Sequence, residues 1–339
     1  MSTSIKKVVI THYQQTGLDN ITLQTTELPP PSQGEVQIET IYAAFTGADA
    51  NMAKGWYPMQ KPAPVTPGYS FVGRVVANGP SCSKFQPGDL VIAITMYDSD
   101  AERINYPEKY LQPVAEGVPP QQACALSLDW YTAYGMVNRA AKVKQGQRVF
   151  VHGISGAVGF AVGTLCKLRG AVVYGTASER NHDILRRHGF EPLTYKNKDW
   201  ISKMQGLGGV HAAFDALGFE SFDESYSILS CRESSILVGY GANLVSLEGG
   251  KQRSPWGSIG KMVARNAALW SKKSTTFFYI AREDKMLPDE TAELMRLVKE
   301  GKIEVPIKEI WDMENVVEAH KSWGNTPGVG SNLIRIKGE

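Results

Sequence analysis

The chain has 339 residues, which at about 150 residues per domain predicts two domains. Apolar residues make up 42% and charged residues 21%, a balance that excludes a disordered chain and a small disulfide scaffold. The formal net charge is only +2, without the basic excess typical of a nucleic-acid binder. This composition indicates a soluble metabolic enzyme.

The N-terminal segment and the cysteines predict a cytoplasmic protein. No apolar run of signal-peptide length follows Lys6 and Lys7, and no stretch reaches the roughly 18 apolar residues that cross a bilayer. The cysteines form no C-x-x-C pair and have no histidine at ligand spacing, which favours reduced, mostly buried thiols. They are Cys82, Cys124, Cys166 and Cys231.

Up to Pro119 the chain is strand-like and interrupted by turns. Residues 35–41 alternate polar and apolar side chains, which is the period of a half-buried strand. Residues 8–10, 71–77 and 90–94 are predicted as further strands, with a Pro-Gly-Asp turn before the last of them. Short strands separated by glycine and proline turns favour an antiparallel, barrel-like domain.

After Pro119 and Pro120 predicted strands and helices alternate. The strands are at residues 148–152, 171–176, 212–215 and 235–239, and the helices at residues 121–138, 157–169, 179–188 and 222–229. This β-α-β order predicts an α/β fold with a doubly wound parallel sheet. A helix at residues 289–300 and short strands between residues 305 and 336 complete the chain.

A glycine-rich turn joins the first of these strands to the helix that follows it. Its sequence, residues 152–159, reads His-Gly-Ile-Ser-Gly-Ala-Val-Gly, a dinucleotide fingerprint with Ile154 in place of the first glycine. Small residues let the backbone approach a pyrophosphate, and the helix N-terminus attracts the anion. The alternative is a glycine-rich strand-to-helix turn that binds no ligand.

The end of the next strand favours NADPH over NADH. An NAD-binding site usually has an acidic residue about 20 residues after the turn, and Ala177 occupies that position. Ser178 and Arg180 could bind a 2′-phosphate through charge-assisted hydrogen bonds, although Glu179 stands between them. The alternative is that Arg180 is an ordinary surface charge.

Several short motifs together resemble the medium-chain dehydrogenase/reductase superfamily, and specifically its zinc-free, quinone-oxidoreductase-like branch. They are Thr-Pro-Gly-Tyr-Ser-Phe-Val-Gly at residues 66–73, Pro-Gly-Asp-Leu-Val at residues 87–91, Thr-Ala-Tyr at residues 132–134, and the glycine-rich turn. The resemblance implies a Rossmann NADPH-binding domain at residues 122–285 and a GroES-like antiparallel β-barrel catalytic domain. The latter would comprise residues 1–121 and 286–339, and a homodimer is implied as well.

The positions that hold zinc in related alcohol dehydrogenases carry other residues in this chain. The cysteine position falls in the turn of residues 46–49, the His-Glu position at Tyr69 and Ser70, and the later ligand near Leu128. Threonine, tyrosine, serine and leucine do not form a zinc site. The cysteine lobe for a structural zinc is also missing, so no metal is predicted.

The resemblance implies that Tyr57, within the segment of residues 54–58, faces the substrate. Its phenolic proton would then stabilise negative charge developing on a carbonyl oxygen, with Thr46 or water as substitute donors. The alternative is that Trp56 and Tyr57 only pack or line a pocket.

Further cofactor contacts are implied by the same resemblance. Thr132 would lie beside the nicotinamide, Tyr195 on the adenosine side, Gly239 and Tyr240 near the nicotinamide ribose, and Asn332 would face the cofactor. The remaining members of the predicted cofactor site are Ser155, Gly156, Ala157, Val158, Gly159, Ser178 and Arg180.

The segment of residues 251–285 is strongly basic, with eight lysines and arginines against two acids. Ile259, Met262, Val263 and Trp270 fall on one face of a helix. Such a helix could lie on a membrane, cover an apolar pocket or pack on its own domain. Residues 275–280 are predicted as a strand at the sheet edge, which could pair across a dimer.

Together these features predict a zinc-independent, NADPH-dependent reductase that transfers hydride to an enone, an enal or a quinone. The substrate would be a small apolar conjugated molecule. One alternative is a biosynthetic enoyl reductase that acts on a bulky polyketide- or terpenoid-like intermediate. Another is a non-catalytic nucleotide-binding scaffold, associated with a membrane through residues 251–285.

Overall fold

The computed structural model describes residues 2–57, 60–268 and 270–337. Within them the chain forms fifteen strands: β1 Thr3–Ile10, β2 Ile21–Leu28, β3 Glu35–Phe45, β4 Ser70–Asn78, β5 Leu90–Ile94, β6 Arg103–Pro107, β7 Gln112–Pro113, β8 Arg148–Val151, β9 Val172–Thr176, β10 Glu191–Leu193, β11 Ala212–Asp215, β12 Ser235–Gly239, β13 Lys273–Phe277, β14 Ile307–Asp312 and β15 Ser331–Arg335.

The same residues form eleven α-helices: α1 Gly47–Ala53, α2 Pro120–Ala125, α3 Tyr131–Gly135, α4 Ala157–Leu168, α5 His182–Arg187, α6 Asp199–Gly206, α7 Glu220–Ser227, α8 Leu244–Glu248, α9 Trp256–Ala264, α10 Leu287–Lys299 and α11 Val316–Ser322. Two π-helical segments, Leu126–Trp130 and Met136–Ala140, flank α3. Helix α10 starts with a proline in its first turn, where the missing N–H costs no helical hydrogen bond.

The chain divides into two compact units. One, called the catalytic unit after the expectation from the sequence, comprises the chain up to Tyr131, residues Ala281–Thr326 and the segment from Ser331 onward. The other, called the nucleotide unit on the same basis, comprises Thr132–Ile280 and Pro327–Gly330. The sequence-based division, at residues 121/122 and 285/286, differs in position from these limits and stays a prediction.

The catalytic unit is organised around β3. This strand pairs along its length with β4, and its other edge pairs with β6 over the first half and β15 over the second. The resulting seven-stranded sheet is antiparallel except for the pair of β14 and β15. Val36 and Ile38 of β3 and Phe71 of β4 are fully buried in its core. Gln37 and Thr40 are buried too, so β3 is more deeply buried than the half-buried strand that the alternation of residues 35–41 predicts. The predicted antiparallel domain is confirmed.

The nucleotide unit contains a six-stranded parallel sheet in the order β10-β9-β8-β11-β12-β13. The chain leaves β8 on one side to form β9 and β10, then returns to β11 on the other side. This is the order of a doubly wound Rossmann sheet, in which ligands bind at the carboxyl ends of the strands where the order reverses. The predicted α/β fold is confirmed.

Several predicted elements differ in detail. The helix predicted at residues 121–138 is interrupted by the π-helical segments, and the one at residues 179–188 starts as a 3₁₀ turn at Glu179–Asn181. Only strands were predicted between residues 305 and 336, but α11 lies there as well. Its two turns are too short to produce a helical repeat of apolar residues that the sequence would reveal.

The amphipathic face predicted for the basic segment is wrong. Helix α9 ends at Ala264, so Trp270 is not part of it and is 89% exposed. Met262 is buried, whereas Val263 is 55% exposed. Several of the basic side chains pair with acids of their own unit, as Arg253 does with Glu220. Lys261 and Arg265 likewise both bind Asp223.

Within the residues described above, no helix has the length and apolar character that crossing a bilayer requires. The predicted strand at residues 275–280 is observed as β13, which ends at Phe277 and forms one edge of the parallel sheet.

Candidate functional site

The glycine-rich turn of the nucleotide unit connects β8 to α4. Gly153 has a positive φ of 64°, and Gly156 is the N-cap of α4. A Cβ on Gly159 would lie 2.4 Å from the carbonyl oxygen of Gly153, so only glycine allows this close approach. No side chain of the described residues caps the helix, which leaves its first N–H groups open to an anion.

Ile154 occupies the position of the first fingerprint glycine because its side chain points into the core. It is fully buried, and its N–H donates to the carbonyl oxygen of Thr176 over 3.0 Å. A Cβ on Gly175 would lie 2.7 Å from the Cβ of Ile154. The departure from the fingerprint therefore fills space under the turn and leaves its outer surface unchanged.

His152, the first residue of the turn, contributes its ring as well as its backbone. Nδ1 lies 3.2 Å from the hydroxyl of Thr176, which also accepts a hydrogen bond from the N–H of Gly153. Nε2 lies 3.1 Å from the hydroxyl of Ser225, and that hydroxyl donates to Asp215. Burial lowers the pKa of His152, so a neutral ring supports the turn.

Ser178 and Arg180 follow β9 at the carboxyl edge of the parallel sheet. The N–H of Ala177 donates to the carbonyl oxygen of Leu193, which fixes the end of the strand. Ser178 is half-buried at the start of the 3₁₀ turn, while Glu179 and Arg180 are exposed. The side chains predicted to select the cofactor therefore lie in the same unit as the turn.

The other predicted cofactor residues are spread over both units. In the nucleotide unit Tyr195 is 50% exposed just after β10, and Thr132 lies in α3 between the π-helical segments, which are frequent at functional sites. Gly239 ends β12, where a Cβ would meet the ring of Phe222 at 2.8 Å. The next residue, Tyr240, donates its N–H to the carbonyl oxygen of Asp215.

Asn332 and the remaining turn residues complete the predicted set. Asn332 belongs to the catalytic unit, where it lies in β15 opposite Phe45 of β3. Its side-chain oxygen is buried and finds no hydrogen-bond partner among the described residues. Ser155, Ala157 and Val158 are half-buried around the N-terminus of α4, and the carbonyl oxygen of Ser155 accepts from Gly330.

In the catalytic unit Thr46 starts helix α1. Its hydroxyl accepts from the N–H of Ala48 and donates to Oδ2 of Asp49 over 3.0 Å, while its own N–H also donates to that oxygen. This capping box stabilises the first turn of the helix. Because a hydroxyl has one proton, the Thr46 hydroxyl is committed to Asp49 in this arrangement.

Tyr57 and Tyr69 bring their hydroxyls together in the same unit. The Tyr57 hydroxyl donates to the Tyr69 hydroxyl over 3.0 Å, and the rings meet edge to face with centroids 6.0 Å apart. Burial raises the pKa of both phenols, and the charge of Asp49 adds to the effect. Both therefore remain protonated donors at neutral pH. Pro58, in the segment compared with quinone reductases, lies outside the described residues.

Three buried aspartates also lie in the catalytic unit and were not predicted. Burial raises the pKa of Asp49 to about 6, that of Asp129 to about 7, and that of Asp100 well above its usual range. Asp129 accepts a hydrogen bond from Ser331 over 2.6 Å. Asp49 could have been found from its place three residues after Thr46, but nothing in the sequence marks Asp100 or Asp129.

The positions that hold zinc in related alcohol dehydrogenases correspond here to the turn of residues 46–49, to Tyr69 and Ser70, and to the neighbourhood of Leu128. Within the part of the chain that the structure describes, no group of three or more histidine, cysteine, aspartate or glutamate side chains is arranged to hold a metal ion. Tyr69, at the position of a histidine ligand, instead binds Tyr57.

Two family profiles match the chain. The alcohol dehydrogenase GroES-like domain matches residues 32–113, and the zinc-binding dehydrogenase family matches residues 189–327. The chain belongs to the medium-chain dehydrogenase/reductase superfamily. It is thus an oxidoreductase of that superfamily, and the resemblance inferred from the sequence is confirmed.

The similar proteins include some named as vesicle membrane proteins and others named as quinone oxidoreductase-like proteins. The human synaptic vesicle membrane protein VAT-1 homolog is 27% identical over 334 residues, covering 94% of this chain and 84% of its own length. Mouse quinone oxidoreductase-like protein 2 is 27% identical over 291 residues, covering 82% of this chain and 83% of its own length.

Solved structures of low sequence identity share the fold. A quinone oxidoreductase from Coxiella burnetii has a TM-score of 0.83 at 21% identity, over 99% of this chain and 100% of that one. The CurK enoyl reductase has a TM-score of 0.82 at 19% identity, over 98% and 99%. A mycobacterial protein complexed with NADPH has a TM-score of 0.83 at 21% identity, over 98% and 99%.

Proposed function

We propose that this protein is a zinc-independent, NADPH-dependent reductase that transfers hydride to an α,β-unsaturated carbonyl compound or a quinone. The observation that carries the proposal is the hydroxyl pair of Tyr57 and Tyr69, 3.0 Å apart, where zinc-dependent relatives would keep a metal ligand. A protonated phenol held in this way can donate a hydrogen bond to an oxygen that becomes negative during reduction.

The nucleotide unit fits a dinucleotide. Gly159 has no room for a Cβ because it lies against the carbonyl oxygen of Gly153, and the N-terminus of α4 has no side-chain cap in the described residues. Ser155 to Gly159 would hold the pyrophosphate, and Ser178 with Arg180 would bind the 2′-phosphate. A bound nicotinamide supplies the hydride in this class of chemistry.

The residues favour conjugated acceptors over simple ketones. Hydride addition to the β-carbon of an enone moves the electron pair of the double bond to the carbonyl oxygen, so the negative charge is delocalised as it forms. Tyr57 would donate a hydrogen bond to that oxygen and then its proton. A simple ketone concentrates the charge on one oxygen and needs stronger stabilisation.

Steady-state oxidation of NADPH with matched acceptors tests this function. We expect turnover with an enone or a quinone and little turnover with the saturated ketone of the same carbon skeleton. The saturated ketone is the control, because it keeps the shape and removes only the conjugation. Failure of all conjugated acceptors to oxidise NADPH would refute the proposal.

A biosynthetic enoyl reductase is the second candidate. The fold likeness to the CurK enoyl reductase, with a TM-score of 0.82, favours considering it. Slow turnover of small enals together with tight binding of a bulky enone would support this candidate over a general quinone or enone reductase.

The charges of residues 251–285 give little support to the alternative of a membrane-associated, non-catalytic scaffold. Arg253, Lys261 and Arg265 are paired with acidic side chains of α7, which reduces the positive charge free to attract an anionic membrane. A human relative carries the name of a synaptic vesicle membrane protein, which is the reason to test membrane association. Vesicle co-sedimentation of the protein tests it directly.

We also propose a homodimer that forms at the exposed edge of the parallel sheet. Strand β13 ends the sheet, and none of the described strands pairs with its outer edge. Trp270 and Tyr279, before and after it, are 89% and 78% exposed. An open strand edge with exposed aromatic side chains is a surface that association would cover.

A further inference from the structure

A buried set of hydrogen bonds, which we call the His152 network, joins three neighbouring strands of the nucleotide unit. Thr176 is the last residue of β9, His152 follows β8, and Asp215 is the last residue of β11. These strands are adjacent in the sheet in the order β9-β8-β11, and Ser225 of α7 completes the network. Their carboxyl ends flank the point where the strand order reverses, which is where dinucleotides bind in this fold. The network therefore lies at the edge of the sheet where a dinucleotide is expected.

The protons of the His152 network can be arranged in only one direction. The Ser225 hydroxyl donates its single proton to Oδ2 of Asp215 over 2.6 Å, so it can only accept from Nε2 of His152, 3.1 Å away. Burial lowers the pKa of His152, so its ring is neutral, and a proton on Nε2 leaves Nδ1 as an acceptor. The Thr176 hydroxyl, 3.2 Å from Nδ1, therefore donates to it and accepts from the N–H of Gly153 over 3.3 Å.

The surroundings of the network make each of its hydrogen bonds count. Its four side chains are at most 3% exposed, and the rings of Phe150 and Trp200 meet His152 edge to face with centroids 5.0 and 4.9 Å away. Nε2 lies 3.8 Å from Oδ2 of Asp215, too far for a direct hydrogen bond, so Ser225 makes the connection. A buried polar group that loses its partner is costly, because water cannot replace it.

The two ends of the network each fix a backbone loop. At one end is the N–H of Gly153, whose carbonyl oxygen accepts from the N–H of Gly156, the N-cap of α4, over 2.8 Å. At the other end Oδ1 of Asp215 accepts from the N–H groups of Leu217 and Gly218 over 2.8 and 3.2 Å. Because hydrogen bonds orient the peptide groups that make them, the network ties the glycine-rich turn to the loop after β11.

We propose that His152 and Ser225 are positioning residues, whose hydrogen bonds hold the glycine-rich turn in the shape that binds the pyrophosphate of the dinucleotide. This inference rests on the proposed function, since it takes a nicotinamide dinucleotide as the ligand of the turn. Neither side chain needs to touch the ligand. The Nε2–H tautomer of His152 is essential, because the other tautomer would set a lone pair of Nε2 against a lone pair of the Ser225 hydroxyl.

Ser221 offers a matched control on the same helix. Ser221 and Ser225 lie one turn apart in α7, both are buried, and both donate to Oδ2 of Asp215, over 2.7 and 2.6 Å. The contact with Nε2 of His152 is made by Ser225. We expect Ser225→Ala to raise the dissociation constants of NADPH and NADH by the same factor, roughly tenfold, and Ser221→Ala to change them less than about twofold. Equal weakening by the two variants in a fluorescence titration would refute the inference, because the lost bond to Asp215 would explain both.

The Thr176 hydroxyl gives a second test, by rescue. Thr176→Val keeps the shape of the side chain but leaves the N–H of Gly153 and Nδ1 of His152 without their partner, so NADPH should bind roughly tenfold more weakly. Thr176→Ser keeps the hydroxyl and should bind NADPH within about twofold of the wild type. The same weakening in both variants would show that packing at this position matters and the hydroxyl does not, which contradicts the inference.

Two measurements on the ligand-free protein separate this inference from the proposed function. Nitrogen NMR should show a proton on Nε2 and none on Nδ1 of His152 at about pH 7, with the signal assigned by its loss in His152→Gln. Hydrogen exchange of the peptide of residues 152–159 should be faster in Ser225→Ala than in Ser221→Ala. Both results, with a wild type that binds neither dinucleotide, would support the hold of the network on the turn and refute the proposed function. The opposite tautomer, a charged ring or equal exchange in the two serine variants would refute the inference, whatever the protein binds.

Discussion

At the scale of single residues, the polar side chains of the catalytic unit divide into those that fix the backbone and those that can act on a substrate. The Thr46 hydroxyl is committed to Asp49, so Thr46 serves helix α1 in this arrangement. Tyr57 donates only to another phenol, Tyr69, and two phenols can reverse the direction of the hydrogen bond between them. Tyr57 is therefore the better candidate for the donor role.

Tyr57→Phe should lower kcat about 100-fold with little change in KM, because a general acid contributes mainly in the transition state. Tyr69→Phe, which keeps Tyr57 but removes its partner, should cost about tenfold. Since the two hydroxyls act as a unit, the double variant should be no worse than Tyr57→Phe. Steady-state kinetics with an enone measures all three. An unchanged kcat in Tyr57→Phe would remove the donor role and leave the packing alternative.

At the scale of elements, the loop after β9 is the part of the nucleotide unit that we propose distinguishes the two cofactors. Replacing both Ser178 and Arg180 by alanine should weaken NADPH binding about 10- to 100-fold, as the loss of charge-assisted hydrogen bonds would. NADH binding should not change, because it has no 2′-phosphate. Fluorescence titration with each cofactor measures the difference.

Arg186→Ala is the matched control for this loop. Arg186 is an exposed arginine on the next helix, α5, and binds Asp183 in its own turn. Its removal should leave both affinities as they are. If the Ser178 and Arg180 variant lost both cofactors equally, the turn as a whole would be damaged and cofactor selection by these side chains would be disproved.

The sequence predicts elements well where local chemistry decides them. The turn at residues 152–159 could be located because a strand, small residues and a helix follow in order. Ile154 could be understood only from the fold, since its partner Gly175 lies on the next strand. Helix α11 was missed because two turns give too few apolar repeats.

The candidate site shows the same limit for side chains that meet across the fold. Tyr57 could be proposed from a local motif, but its partner Tyr69 lies 12 residues further along the chain, and only the structure pairs their hydroxyls. Asp100 joins Asp49 at Gly68 from a loop after β5. Local spacing does not relate a helix residue to a loop residue about 50 positions later, so the approach of both carboxyls to Gly68 could not have been predicted.

At the scale of the whole molecule, the buried carboxyls connect stability to pH. Burial raises the folded-state pKa of Asp129 to about 7 from an ordinary value of 3.8. The unfolded chain therefore releases this proton at lower pH than the folded protein does, and ionisation favours unfolding. The stabilisation is complete below pH 3.8 and is lost as the pH rises through about 7.

Asp129→Asn should therefore stabilise the protein at alkaline pH and hardly at all at acid pH. Asparagine still offers Ser331 an acceptor, and it removes a charge whose burial costs at most about 4 kcal/mol at 1.36 kcal/mol per pKa unit. Urea unfolding of both proteins between about pH 4 and pH 8 measures the gain. A gain that stayed constant with pH would show that Asp129 acts through packing, because only the ionised carboxylate carries a penalty that grows as protons are removed.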